Sequence, residues 1–316
     1  MKKLLLGTAA LAAFAVAEAP FDPADAVPAY GFAQLGFTDF SLTGLSAPGV
    51  IVSNTGVTTQ ASANYPGFTP VSNSIAGNLV TGSDVPEAYA GNGSVPQNTF
   101  TQQLTAGAAT RGDAQISGPL SGPAVSNDVS EGRLTSSGAT ASSSSGTSTG
   151  LKLTLSVSKT DTLTLHFLAE ALMQVNTGTA GDEAFSTISA SYNIKAGASG
   201  HIVSSTNSTA GGTAGTIVGG IDFTYDPTQL NHTVNALGVG DGSSYTTSGF
   251  ATNLAVVLAP GVYNITLSSG SSDALTTGPA VPEPTSLAVF GAGLLGLAGA
   301  VRRRWKIGAD RRRLNN

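Results

Sequence analysis

The chain has 316 residues, of which 41% are apolar and only 10% charged, and its net charge is −5. Forty glycines, with Ser, Thr and Ala in abundance, leave too little Leu, Glu, Lys and Arg for a helical body; the length suits one large all-β domain or two small ones. There is no cysteine, which excludes disulfides, Cys-ligated zinc and thiol catalysis.

The charge is unevenly spread. The span from Glu18 to Val281 holds seventeen of the nineteen acids but only five of the fourteen bases, Arg111, Arg133, Lys152, Lys159 and Lys195. That span therefore carries −12 and the two ends together +7. Five dispersed cations build no basic patch, so nucleic acid is excluded as a partner.

In chain order, the first element is a secretory signal. Lys2 and Lys3 precede an apolar run from Leu4 to Ala17, and Ala15-Val16-Ala17 supplies the small-x-small pattern that signal peptidase cuts after. As a helix that run reaches ~21 Å, too short for a ~30 Å hydrocarbon core. Residues 1–17 are therefore expected to be removed.

Residues 18–150 are rich in Gly, Ser, Asn, Pro and Thr. Short apolar pieces, "GVIVSNTGV" and "SIAGNLV", read as weak strands. The run "TSSGATASSSSGTSTG" at 135–150 reads as a flexible linker or a long surface loop.

From Leu151 the pattern sharpens. Leu151, Leu153, Leu155 and Val157 alternate with polar residues, "SKTD" turns the chain, and Leu163, Leu165, Phe167, Ala169, Ala171, Met173 and Val175 continue on odd positions. This predicts a hairpin with one buried face. Ile188, Ala190, Tyr192 and Ile194 share a face farther on, and two strands flank Pro260-Gly261 with Tyr263, Ile265 and Leu267 inward. Such strands separated by polar loops predict an all-β body over 18–280, an antiparallel β-sandwich of jelly-roll-like character with no helix before Leu287.

The chain ends on a different composition. Pro282-Glu283-Pro284 keeps the backbone extended and accessible. Leu287 to Val301 is apolar or Gly throughout, ~22 Å as a helix and marginal for a membrane span. Arg302, Arg303, Arg304 and Lys306, then Arg311 to Arg313, hold that end on the cytoplasmic side. The body accordingly lies outside the inner membrane.

"VPEP" followed by "GAGLLGLAGAVRRR" resembles the PEP-CTERM sorting signal of Gram-negative bacteria. The resemblance covers 281–306, and the basic tail 307–316 runs beyond the usual end. It implies an exported protein, anchored transiently in the inner membrane and processed by an exosortase, a membrane protease or transpeptidase of bacteria that make extracellular polysaccharide. "TRGDAQISG", "LSVSKTDTLTLHFLAEALMQV" and "LAPGVYNITLSS" are also similar to segments of one group of exosortase-dependent surface proteins. That likeness implies a surface protein of unestablished biochemistry.

Catalytic signatures are missing. His166, His201 and His232 lack metal-ligand spacing, and the motifs of serine hydrolases, zinc proteases and phosphate-binding loops do not occur. Asp182-Glu183, Asp222 with Asp226, and Asp241-Gly242 are oxygen donors that read as solvated carboxylates, with a Ca²⁺ site as the weaker alternative. Arg111-Gly112-Asp113 matches an adhesive tripeptide that arises readily by chance. No cofactor is expected. The body reads as a non-catalytic surface or matrix protein, which the resemblance of the C-terminal signal ties to exopolysaccharide and biofilm. The alternatives are a carbohydrate-binding module, using Tyr30, Tyr65, Tyr89, Tyr225 or Tyr245, and a secreted hydrolase.

Overall fold

Small and β-branched residues in alternation form seventeen strands, paired antiparallel throughout, in a computed structural model describing residues 29–77, 83–104, 108–119, 124–136, 138–146, 151–209 and 213–278. The first sheet contains β1 (Ala29–Thr43), β4 (Ser83–Asp84), β5 (Ala88–Gly91), β6 (Ala109–Ser117), β7 (Ala124–Leu134), β10 (Asp161–Thr177), β12 (Ile202–Asn207) and β16 (Gly242–Leu258). Its order is β12-β16-β10-β1-β7-β6-β4, with β5 also on β6. The second contains β2 (Val50–Asn64), β3 (Val71–Gly77), β8 (Thr140–Gly146), β9 (Leu151–Val157), β11 (Glu183–Ala196), β13 (Thr216–Val218), β14 (Asp222–Tyr225), β15 (His232–Leu237) and β17 (Gly261–Thr276). Its order is β13-β14-β11-β17-β8-β2-β3; β9 pairs with β17 and β2, and β15 with β11.

The two sheets face each other across one core. Leu151, Leu153, Leu155, Val157, Leu163, Leu165, Phe167, Ile188, Tyr192, Ile194, Tyr263 and Ile265 are all buried, as their alternation requires. Phe37 meets Phe167 edge-on with ring centroids 5.1 Å apart, and Tyr192 meets Phe223 at 6.1 Å. With eight and nine strands, the sheets are larger than those of an eight-stranded jelly roll. Among the described residues the only helical element is a 3₁₀ turn, Thr228–Leu230, and no helix is long and apolar enough to cross a membrane. Residues 1–17 and 281–316 lie outside the described residues, as do both helices expected there.

Two expectations are corrected. The strands on either side of Ser158 form no hairpin: β9 pairs with β17 and β2, whereas β10 pairs with β1 and β16. The short turn carries the chain from one sheet to the other, so the two leucine faces look at each other across the core. Alternation marks a buried face but does not name the hydrogen-bonding neighbour. The turn at Pro260 likewise passes from β16 in one sheet to β17 in the other.

The 135–150 segment is no linker, because Thr140–Gly146 is β8, an interior strand between β17 and β2. Its serines suit a place where the sheets come close. Ser143 and Ser145 point inward, and Ser145 Oγ bonds Ser271 Oγ at 2.9 Å. The pieces read as weak strands overlap β2, fifteen residues long, and β3, and residues 78–80 of the second lie outside the described residues.

Candidate functional site

The motif Arg111-Gly112-Asp113 lies in β6, and all three residues serve the fold. A Cβ at Gly112 would come within 2.3 Å of the Ser144 carbonyl oxygen and 2.9 Å of that of Ser62, so only glycine lets the sheets approach here. Arg111 and Asp113 point to the other face of the sheet, under a strap formed by residues 96–104. Arg111 is fully buried; its Nε donates to Glu131 Oε2 at 2.8 Å, its Nη1 to the Thr99 carbonyl at 2.6 Å and its Nη2 to the Thr101 carbonyl. Glu131 also accepts from Tyr30 Oη at 2.9 Å and from the Gln103 and Leu104 amides at 3.0 and 2.9 Å. Asp113 Oδ2 accepts from the Asn98 amide at 2.6 Å. The tripeptide is thus a clasp for the strap, inaccessible to any receptor.

Burial dominates the electrostatics of this face. Desolvation raises Glu87 to about 7 against the pull of Arg111, and raises Asp113 to about 6. The Tyr30 phenol is pushed well above its ordinary value, first by burial and then by Glu131. Between the sheets lies a second polar layer. Asp128 Oδ2 accepts there from Ser269 Oγ at 2.5 Å, and burial lifts this carboxyl to about 7. Asp273 accepts from Ser186 Oγ, with Ser143 Oγ at 3.5 Å, and burial lifts it to about 8.

The other residues singled out in the sequence do not converge. His232 stacks on Tyr245 with centroids 4.0 Å apart, and the His201 ring lies against Gly220. Among the described residues no three His, Asp or Glu side chains meet in a group that could hold a metal ion. Tyr30, Tyr65 and Tyr225 are buried, which removes them as sugar contacts and leaves Tyr89 and Tyr245 partly exposed. A hollow of about 280 Å³ opens on the second sheet between Ser62, Ser142, Ser144, Phe185 and Thr187.

Asp182 is not the solvated carboxylate expected, whereas Asp241 is exposed to solvent and bonds within its own turn. Asp182 is buried and gathers three segments at one pole of the sandwich. Its Oδ2 accepts from the Thr179 amide and hydroxyl at 2.7 Å each, its Oδ1 from the Gly278 amide at 3.0 Å, and its carbonyl from the Gly238 amide at 3.1 Å. Asp241 caps the neighbouring turn, accepting from the Leu237 and Gly242 amides at 2.9 and 3.0 Å.

At this pole the described residues end. Thr277 is buried, its amide donating to the Ala139 carbonyl at 2.8 Å and its hydroxyl to the Ser136 carbonyl at 2.6 Å. The Gly138 amide donates to the Gly278 carbonyl at 2.8 Å. A Cβ at Gly278 would lie 2.5 Å from the Ala180 carbonyl oxygen, so the chain is gripped to its last described residue. The first described residue, Ala29, pairs with Thr177 and Leu134 at the same pole. The first and last described residues, Ala29 and Gly278, therefore lie at the same pole. No periodicity announces this latch; its one sequence signal is an acid five residues after a strand end. Asp182→Ala should lower the melting temperature by several degrees, since it strands the Gly278 and Thr179 donors at a cost of ~1–3 kcal/mol. Differential scanning calorimetry of the body checks this.

Residues 280–304 match the PEP-CTERM protein-sorting motif. The match begins two residues beyond Gly278 and includes Pro282, Glu283, Pro284, Arg302, Arg303 and Arg304. These residues, like Ala15 and Ala17, lie outside the described residues. No curated protein matches the chain, and no solved structure does.

Proposed function

We propose that this chain is a non-catalytic cell-surface or matrix protein, and that its sandwich is the cargo of its own C-terminal sorting signal. The PEP-CTERM motif at 280–304 carries the reading: it supports a sorting signal read by an exosortase and implies export to the surface of a Gram-negative cell. In this account signal peptidase cuts after Ala17, residues 281–306 anchor the chain transiently in the inner membrane, and cleavage near Pro282-Glu283-Pro284 releases the body. The latch at Gly278 supports the final step, because the seventeen strands of the described residues and the hydrogen bonds that close them lie before the cut. Release leaves a closed domain, which suits a component of an exopolysaccharide matrix or biofilm. Intact-mass analysis of the protein from its native host tests this. The expected species begins at Glu18 and ends near Pro282; a mass including Met1 or Arg302 contradicts it.

A second reading, glycan binding by the body, is favoured by the hydroxyl-lined hollow beside Phe185. A glycan array with the purified body separates the two.

A further inference from the structure

The turn between β15 and β16 is an apolar tip in an otherwise polar neighbourhood. Val239 is 72% exposed and Leu237 51%, the former among the most exposed large apolar side chains of the described residues. Gly238 and Gly240 flank Val239 with φ of +105° and +63°, left-handed conformations that suit glycine and turn the chain sharply. Scattered exposed apolar residues need no explanation; the position of these two is what distinguishes them. The Gly238 amide and the Gly278 amide both donate to Asp182, at 3.1 and 3.0 Å. The tip and the exit of the sorting segment are thus bonded to one residue.

Chain length fixes what this pole faces. Pro282 lies four residues beyond Gly278, and Leu287, where the apolar run begins, lies nine beyond it. Fully extended, these stretches span at most about 14 and 32 Å. While that run is in the bilayer, the pole stays close to the lipid surface. The loops there, residues 135–136, 138–139, 178–182 and 238–241, contain Asp182 and Asp241 but no Lys or Arg. Anionic headgroups find no counter-charge in them, so contact has to be apolar.

We propose that Leu237 and Val239 form a lipid-contacting tip, which seats the signal-proximal pole of the body on the bilayer while the C-terminal segment anchors it. The proposal rests on the reading of 281–306 as a membrane segment. Seating fixes the orientation of the body and holds Pro282-Glu283-Pro284 at the membrane boundary, where a membrane enzyme works.

The absence of cysteine makes the test clean. The full chain without residues 1–17, carrying Val239→Cys and an environment-sensitive fluorophore, is reconstituted into phosphatidylcholine vesicles bearing a lipid-borne nitroxide quencher. Ile51→Cys, at an exposed site beside the opposite end of β17, is the reference. The label at 239 should show blue-shifted emission and several-fold stronger quenching than that at 51, unchanged by raising the salt. Protein that pellets with vesicles while position 239 reports water overturns the tip alone. Protein that does not pellet overturns the membrane segment and the tip with it. Shielding of position 239 only when an added membrane enzyme is present also overturns lipid contact.

Discussion

Replacing Arg111 by alanine should destabilise the body by about 3–5 kcal/mol, the cost of breaking a buried ion pair from one side. The guanidinium is completely buried and all three of its nitrogens are engaged, one by Glu131 and two by strap carbonyls. Its loss leaves the Glu131 carboxylate beneath residues 96–104 with its bonds from Tyr30 and two backbone amides but without the guanidinium. A domain is held by only about 5–15 kcal/mol in total, so the urea midpoint should fall steeply. Arg111→Lys should recover little, because an ammonium cannot reach Glu131 and two carbonyls in the fork geometry of a guanidinium. A midpoint unchanged in Arg111→Ala would show that the clasp contributes nothing.

The body should lose stability as pH rises from about 4 to 8, the reverse of ordinary acid denaturation. Asp273 titrates near the ordinary aspartate value of 3.8 in the unfolded chain but only at about 8 when folded, and Asp128 at about 7. Below pH 4 both states hold these protons and the full stabilisation is present. Between the two values the unfolded chain releases them while the folded one does not, so stability falls until the folded carboxyl ionises too. Glu87 and Asp113, raised to about 7 and about 6, act in the same direction. A tenfold change in proton affinity is worth ~1.4 kcal/mol, so the loss from the two fully buried carboxyls, Asp273 and Asp128, is of order several kcal/mol. Asp273→Asn keeps an oxygen to accept from Ser186 and removes the largest of these titrations. It should raise the pH 8 denaturation midpoint and flatten its pH dependence; a wild-type midpoint that climbs from pH 5 to 8 contradicts the account.

The leucine-rich strands from 151 to 175 were legible because one face is apolar and the other polar, and burial follows that alternation. β6, β7 and β8 were not. In β7, Asp128 and Ser130 turn toward the second sheet while Val129 and Glu131 turn toward the strap, and all four are buried. A strand covered on both faces, filled with Ser, Asp and Gly that bond to one another, has no hydrophobic period to read. The same chemistry hid β8 inside a serine run. The sorting signal was the most legible feature, since its three parts differ in physical type, and the latch beside it was the least, since Asp182 bonds to chain segments distant in sequence.

The most direct test of the central claim is to replace Pro282-Glu283-Pro284 by alanines in the native host and follow the body by immunoblot and mass spectrometry of membrane and extracellular fractions. The wild-type chain should appear outside the inner membrane without residues beyond the motif. The alanine chain, its body still folded to Gly278, should accumulate in the inner membrane at full length from Glu18. An alanine chain that reaches the surface with its C-terminus removed as in wild type would contradict the account.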